Sequence, residues 1–275
     1  METQEKTKLR KRRFFQIAAL LALHASWGPE FKWFCLPVLS CHSCAVSWFA
    51  CPIGVLVHFA GYQVFPFFAL GTIAVLGTLA GRILCGWVCP FGFLQDLLYK
   101  VPGRKFTLPG WMRHVKWGVL GAGVIALPFF LGPETWFSFC RVCPASALQV
   151  SAPNVISHGI WAFNTGVAIK FVVLVGVVWL AVGNHRSFCK VFCPVGALLS
   201  PLNHLAFWSV KMPREGCAAC GKCDRVCPMD GDPSSRIEMG VAPNRAMECI
   251  VCHSCQSVCP VRNGKENAPS SEGNA

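Results

Sequence analysis

Charge is what this sequence has least of. Only 14% of its 275 residues are Asp, Glu, Lys or Arg, where soluble domains carry roughly 25%. With 53% hydrophobic residues, the deficit excludes an ordinary soluble domain for much of the chain and points to a bilayer as its solvent. No hydrolase triad, P-loop or dinucleotide fingerprint occurs, so any dehydrogenase chemistry must reside in a bound cofactor. Arg12-Arg13-Phe14-Phe15 matches the core of a twin-arginine signal, but no convincing cleavage site follows, and a basic anchor before a first span explains the same residues. The net charge of +12 does not indicate nucleic acid, because the basic residues sit at the ends of apolar segments, where membrane topology puts them.

Apolar segments are present in number. A first run starts at Phe14, reaches about Trp27 and limps through Gly28-Pro29-Glu30 to about Leu39. It is the weakest, since a spanning helix needs ~20 apolar residues. Further spans are predicted over about 66–83, 115–131 and 160–182. Lys6, Lys8, Arg10, Lys11, Arg12 and Arg13 precede the first, and Lys100, Arg104, Lys105 and Arg113 separate the second from the third. The positive-inside rule then gives a multi-pass protein of a bacterial-type cytoplasmic membrane with both termini cytoplasmic. The expected domains are a basic N-terminus (1–13), a four-span membrane domain (14–210), a cysteine-rich polar domain (211–263) and a disordered tail (264–275).

The 18 cysteines are clustered, and four begin the repeat Cys-Pro-x-small-x-Leu: Cys51, Cys89, Cys143 and Cys193. Upstream, Arg82-x2-Cys85-x3-Cys89-Pro90 matches Arg186-x2-Cys189-x3-Cys193-Pro194. The membrane domain therefore reads as two copies of one unit, four helices in two pseudo-symmetric pairs, related by an axis along the membrane normal. Proline suits the first position of a helix, which puts each preceding cysteine at an N-cap, where the helix dipole favours an anionic sulfur.

Cys217-x2-Cys220-x2-Cys223-x3-Cys227-Pro228 and Cys249-x2-Cys252-x2-Cys255-x3-Cys259-Pro260 are the bacterial two-cluster ferredoxin signature given twice. The expected metal ligands are Cys217, Cys220, Cys223 and Cys259 for one [4Fe–4S] cluster, and Cys249, Cys252, Cys255 and Cys227 for the other. The fourth cysteine of each motif is expected to begin a helix directed at the other cluster. Structural zinc is the rival for such pairs, but it does not explain the double register. Predicted topology places Cys85, Cys89, Cys189 and Cys193 at the cytoplasmic face, the number one further cubane needs. On the opposite side lie Cys41, Cys44, Cys51 and Cys143, with Cys140 as a competing ligand and Cys35 nearby. These suit another cluster, or disulfides if that side is oxidising. Lys170, near the middle of the fourth span, is an intramembrane charge that can meet a quinone, a cluster or a water defect; a shifted, snorkelling side chain is the plain alternative. His24 reads as a packed histidine.

Gly81-Arg82-x2-Cys85-x-Trp87-Val88-Cys89-Pro90 and Cys189-x3-Cys193-Pro194-Val195-Gly196-Ala197-Leu198, followed by two ferredoxin motifs, resemble the NapH-like membrane ferredoxins, a quinol dehydrogenase component of periplasmic nitrate reductase systems. The membrane part of NosR is similar. The resemblance implies a four-span protein that passes electrons between the quinone pool and an iron–sulfur or cytochrome partner, as in anaerobic respiration, with quinol dehydrogenase activity arising in a complex. It carries onto Cys85, Cys89, Cys189, Cys193 and the eight ferredoxin cysteines. Cys41, Cys44, Cys51, Cys140 and Cys143 fall outside the family pattern and imply an added redox site. Two other roles fit the same motifs: a redox-sensing or maturation-assisting membrane protein, and a transmembrane conduit from cytoplasmic ferredoxin to the outer face.

Overall fold

Proline and glycine set the helix boundaries. In a computed structural model that describes residues 2–26, 31–41, 43–208, 210, 212, 217 and 219–261, four helical stretches begin with proline directly after a cysteine. They start at Pro52, Pro90, Pro144 and Pro194. The N-caps are Cys51, Cys89, Cys143 and Cys193, all extended, with φ from −63° to −74°. The expected N-cap geometry is therefore present in all four copies.

Two helices are long and apolar enough to cross a membrane, Gly110–Leu131 and Thr165–Gly183. They fall on the third and fourth predicted spans. The second appears as Phe67–Ala80, bracketed by Pro66 and the left-handed Gly81. At 14 residues it is short of the ~20 needed alone. The first lies within Glu2–Leu23, whose N-terminal half is basic. Among the described residues the chain thus has two helices both long and apolar enough to span, one apolar helix that is too short and one of 22 residues whose N-terminal half is too basic, where four full spans are expected. Beyond it, the stretch expected to continue the first span is not helical. Phe31–Cys35 is a strand, paired in parallel with Phe49–Ala50, with side chains that alternate in burial, and Pro37 follows it. The break at Gly28-Pro29-Glu30 and the tail 264–275 lie outside the described residues. The second repeat unit also carries two proline-linked irregularities. The π-helical stretches Val119–Ala126 and Ala147–Ser151 end two residues before Pro128 and Pro153, where the missing N–H disrupts the regular ladder.

Residues of both repeat units share one core with the cysteine-rich domain. It includes Leu39, Ile53, Phe91, Val124, Val177 and Phe188 together with Met229 and Ile250. The C-terminal domain carries the helices Lys222–Arg225, Pro233–Glu238 and Ser254–Val258. Cys227 does not begin a helix. Asp230 and Asp232 adopt positive φ, so Cys227-Pro228 opens a turn and helix resumes only at Pro233. The residues after Cys259-Pro260-Val261 lie outside the described set.

The ends of the helices near the paired Cys-Pro motifs are tied by charge. Arg186 makes a two-pronged pair with Asp96, Nε to Oδ1 and Nη2 to Oδ2 both at 2.7 Å. Arg12 reaches the same carboxylate at 2.5 Å, and His185 Nε2 lies 3.0 Å from Oδ1. Burial alone would push the Asp96 carboxyl up; Arg186, the His185 hydrogen bond and Arg12 outweigh it and hold it well below the usual carboxylate range. Because the folded value lies below the unfolded ~3.9, this stabilisation is present above that pH and is lost as pH falls through it. Asp96→Ala strands two buried cations and should cost about 3–5 kcal/mol. Unfolding in detergent, compared with wild type, should show that gap at neutral pH and a narrowing gap below pH ~4.

Candidate functional site

The Arg-x2-Cys-x3-Cys-Pro arms meet face to face. Cys85, Cys89, Cys189 and Cys193 are all buried and act on one another electrostatically. Between the arms sit Arg82 and Arg186, each 0% exposed. The arginines cross over. Arg186 Nη1 donates to the Cys85 carbonyl at 2.8 Å and lies over Gly92, while Arg82 lies over Gly196. A Cβ on Gly92 would fall 3.4 Å from Arg186 Nη1, and one on Gly196 2.9 Å from Arg82 Nη2. The small residue of the repeat is therefore the floor on which the opposite arm's guanidinium rests.

Burial pushes all four thiols up, with Arg82 opposing it at Cys85 and Arg186 at Cys85, Cys89 and Cys189. The helix N-termini alone do not yield thiolates here; desolvation outweighs them. Anionic sulfur needs a cation to share its charge. The surroundings suit an anionic group made of such thiolates, because Arg82 Nε is buried with no hydrogen-bond partner while the rest of that guanidinium is held by Met247 O at 2.6 Å and Glu248 at 3.3 Å. N–H groups donate to the sulfurs, among them Gln95 Nε2 to Cys189 Sγ at 3.1 Å and Gly196 N to Cys193 Sγ at 3.4 Å.

The ferredoxin cysteines line two cavities. Cys217, Cys220, Cys223 and Cys259 share one, and Cys227, Cys249, Cys252 and Cys255 share the other. The crossed sets read from the sequence are thus the sets brought together. Burial pushes Cys223 up to about 11 and Cys249 up to about 12. The second cavity abuts the paired-arm site. Trp87 Nε1 donates to Val251 O at 2.9 Å, and Asn203 Nδ2 donates to Ala246 O and Cys249 O. A Cβ on Gly86 would fall 2.2 Å from Ile250 O, so only glycine permits this approach. Glu248 is claimed by Arg82 and by the buried Lys116, which outweigh burial and lower its carboxyl.

Of the remaining cysteines, Cys41, Cys51, Cys140 and Cys143 line one cavity with Lys170. Cys44 is buried outside that lining, so Cys140 stands where Cys44 was expected. Cys35 belongs to a separate small cluster with Ala50 and Ala69.

The 4Fe-4S binding domain family matches residues 62–109 and again 165–212, the two arms. The 4Fe-4S dicluster domain matches 209–260. An uncharacterized protein of Methanocaldococcus jannaschii is 30% identical over 200 residues, covering 69% of this chain and 74% of that protein. The chain belongs to this 4Fe-4S family. The methylamine utilization ferredoxin-type protein MauN of Methylobacillus flagellatus is 32% identical over 177 residues, 62% of this chain and 57% of MauN. The regulatory protein NosR of Pseudomonas aeruginosa is 27% identical over 207 residues, 70% of this chain but 27% of NosR. No solved structure matches. The chain is an iron–sulfur protein of the NosR/NirI/MauN/YccM type; the narrower NapH-like resemblance is not among these matches.

Gln95, Asp96, Asn203 and Glu248 were not singled out from sequence. For the first two a signal existed: where the fourth repeat copy continues Leu198-Leu199-Ser200, the second reads Leu94-Gln95-Asp96. A polar pair in a buried arm needs partners. Donors to sulfur help set cluster potential, so Gln95→Leu should lower the midpoint potential of one centre by ~20–60 mV, the equivalent of a hydrogen bond worth ~0.5–1.5 kcal/mol. An EPR-monitored redox titration should show that shift with the ferredoxin signals unmoved.

Proposed function

We propose that this protein is a membrane-bound electron-transfer subunit that exchanges electrons with the quinone pool and with an iron–sulfur or cytochrome partner. The observation that carries the reading is the shared wall between the paired-arm cysteines and the second ferredoxin cavity, at Gly86, Trp87 and Ile250-Val251. In this reading Cys85, Cys89, Cys189 and Cys193 hold one cubane, and the two ferredoxin sets hold one each. When bound, these groups supply one-electron transfer. The chain's own residues do the rest. Arg82 and Arg186 offset the negative charge. Gln95 and the Gly196 amide donate to sulfur. Buried Phe91 and Phe188, ring to ring at 5.0 Å, help exclude water.

The edge of the membrane domain supports the quinone part. His185 stacks on Tyr99, with ring centroids 4.5 Å apart and planes 3° from parallel, and its Nε2 faces Asp96. Both rings are partly exposed. Quinol oxidation releases protons, and His185, charge-coupled to Asp96 and two residues from the Ser187–Val191 turn that carries Cys189, is placed to accept one. A second reading, redox sensing that serves a partner metalloenzyme, draws on the regulatory name of NosR. Under that reading, quinol would not reduce the protein.

The test is anaerobic reduction by a menaquinol or ubiquinol analogue, followed by bleaching of the iron–sulfur absorbance. We expect reduction by quinol, slowed about tenfold or more in His185→Gln while dithionite reduction stays unchanged. Reduction by dithionite alone, with neither quinol nor quinone exchanging electrons, overturns the quinone assignment.

A further inference from the structure

Cys41, Cys51, Cys140 and Cys143, which line one cavity, lie outside both segments matched by the 4Fe-4S binding domain. We infer that these four cysteines form a further [4Fe–4S] site, with Lys170 as its counter-charge. The inference goes beyond the proposed function and rests on it only in taking iron–sulfur chemistry as given.

Four observations converge. The ligands come in equal number from each repeat unit, Cys41 and Cys51 from the first, Cys140 and Cys143 from the second, which is the pattern of the paired-arm site. Cys51 and Cys143 cap the helical stretches that begin at Pro52 and Pro144, so two helix N-termini converge on one cavity of about 210 Å³. Lys170 points into it from the Thr165–Gly183 helix. Its ammonium is 3.1 Å from Ser146 Oγ, and its charge falls on Cys140 and Cys143. An intramembrane lysine needs an anion, and four thiolates around a cubane supply one. The Ser138 hydroxyl, 0% exposed and without a hydrogen-bond partner, also lines the cavity. A buried, unpaired donor fits a cavity built for a group with acceptor atoms.

The site adjoins the paired arms through one segment. Val38, Leu39 and Ser40 are buried. The Leu39 backbone amide lies against the Cys89 thiol, and Leu39 also lines the Cys41 cavity, so the two cysteine sets expected on opposite faces of the membrane lie side by side, far closer than the ~30 Å of a bilayer core. Leu39 and Cys41 are two residues apart, at most ~7 Å of extended chain. The Cys41 set therefore adjoins the paired-arm set, which in turn abuts the second ferredoxin set.

Iron and acid-labile sulfide counted per chain in anaerobically purified protein test the inference. Four cubanes give about sixteen irons. Cys51→Ala/Cys143→Ala should drop the count to about twelve, while Cys44→Ser leaves it at about sixteen. Lys170→Met should keep the iron and lower the midpoint potential of one EPR-resolved centre. A wild-type count of about twelve that falls to about eight in Cys85→Ala/Cys189→Ala overturns the outer site and leaves the proposed function standing. A wild-type count of about twelve that falls only in Cys51→Ala/Cys143→Ala upholds the outer site and removes the paired-arm one. No variant is needed for the remaining outcome: disulfides joining any of Cys41, Cys51, Cys140 and Cys143, found by mass spectrometry of the wild-type protein, overturn the inference.

Discussion

Taking a guanidinium out of water costs several kcal/mol even after the protein relaxes around it, and this molecule buries two back to back. Arg186 is met by the two oxygens of Asp96 and by the Cys85 carbonyl. Arg82 is met by Met247 O and Glu248, with its Nε left unpaired. What both face is a set of four buried thiols. A cubane core of about +2 held by four thiolates carries about −2, which two arginines balance. The glycines of the repeat, the docking of the ferredoxin domain and the depressed carboxyls of Asp96 and Glu248 all follow from holding that pair in place.

The pairing keeps a two-fold logic while drawing its parts from different places. Each arginine shares a carboxylate with a second cation: Asp96 lies between Arg186 and Arg12, Glu248 between Arg82 and Lys116. Arg12 and Lys116 occupy corresponding positions at the starts of the first and third apolar helices. The carboxylates do not correspond. Asp96 belongs to the first arm, whereas the second arm has Ser200 there, and Glu248 comes from the ferredoxin domain. The C-terminal domain thus completes the electrostatics of the helical repeat domain, and Asn203 reinforces the contact by accepting from Arg82 N while donating to Ala246 O and Cys249 O.

Motifs that act through local geometry were legible in the sequence. Cys-Pro predicts a cysteine N-cap before a helix, and all four copies have it, because proline's fixed φ and missing N–H act within a single turn. The crossed ferredoxin sets were legible because their spacing fixes which thiols can surround one object. Long-range choices were not. Nothing local distinguishes Cys140 from Cys44; the choice depends on how the two units pack. The helix expected after Cys227 fails because Asp230 and Asp232 take left-handed conformations that composition alone does not demand. The first apolar run was rightly the weakest, and its far end proved to be a strand whose side chains alternate in burial rather than following a helical period.

The central claim is that the paired-arm cysteines hold a cluster directly against the ferredoxin domain. Magnetic interaction between neighbouring reduced centres tests it most directly. EPR spectra of fully reduced wild-type protein should show broadening from coupling between a membrane-domain centre and a ferredoxin centre. Cys189→Ala should remove that broadening and leave the spectrum of the ferredoxin pair. A spectrum identical in wild type and Cys189→Ala, with iron content unchanged, would contradict the account.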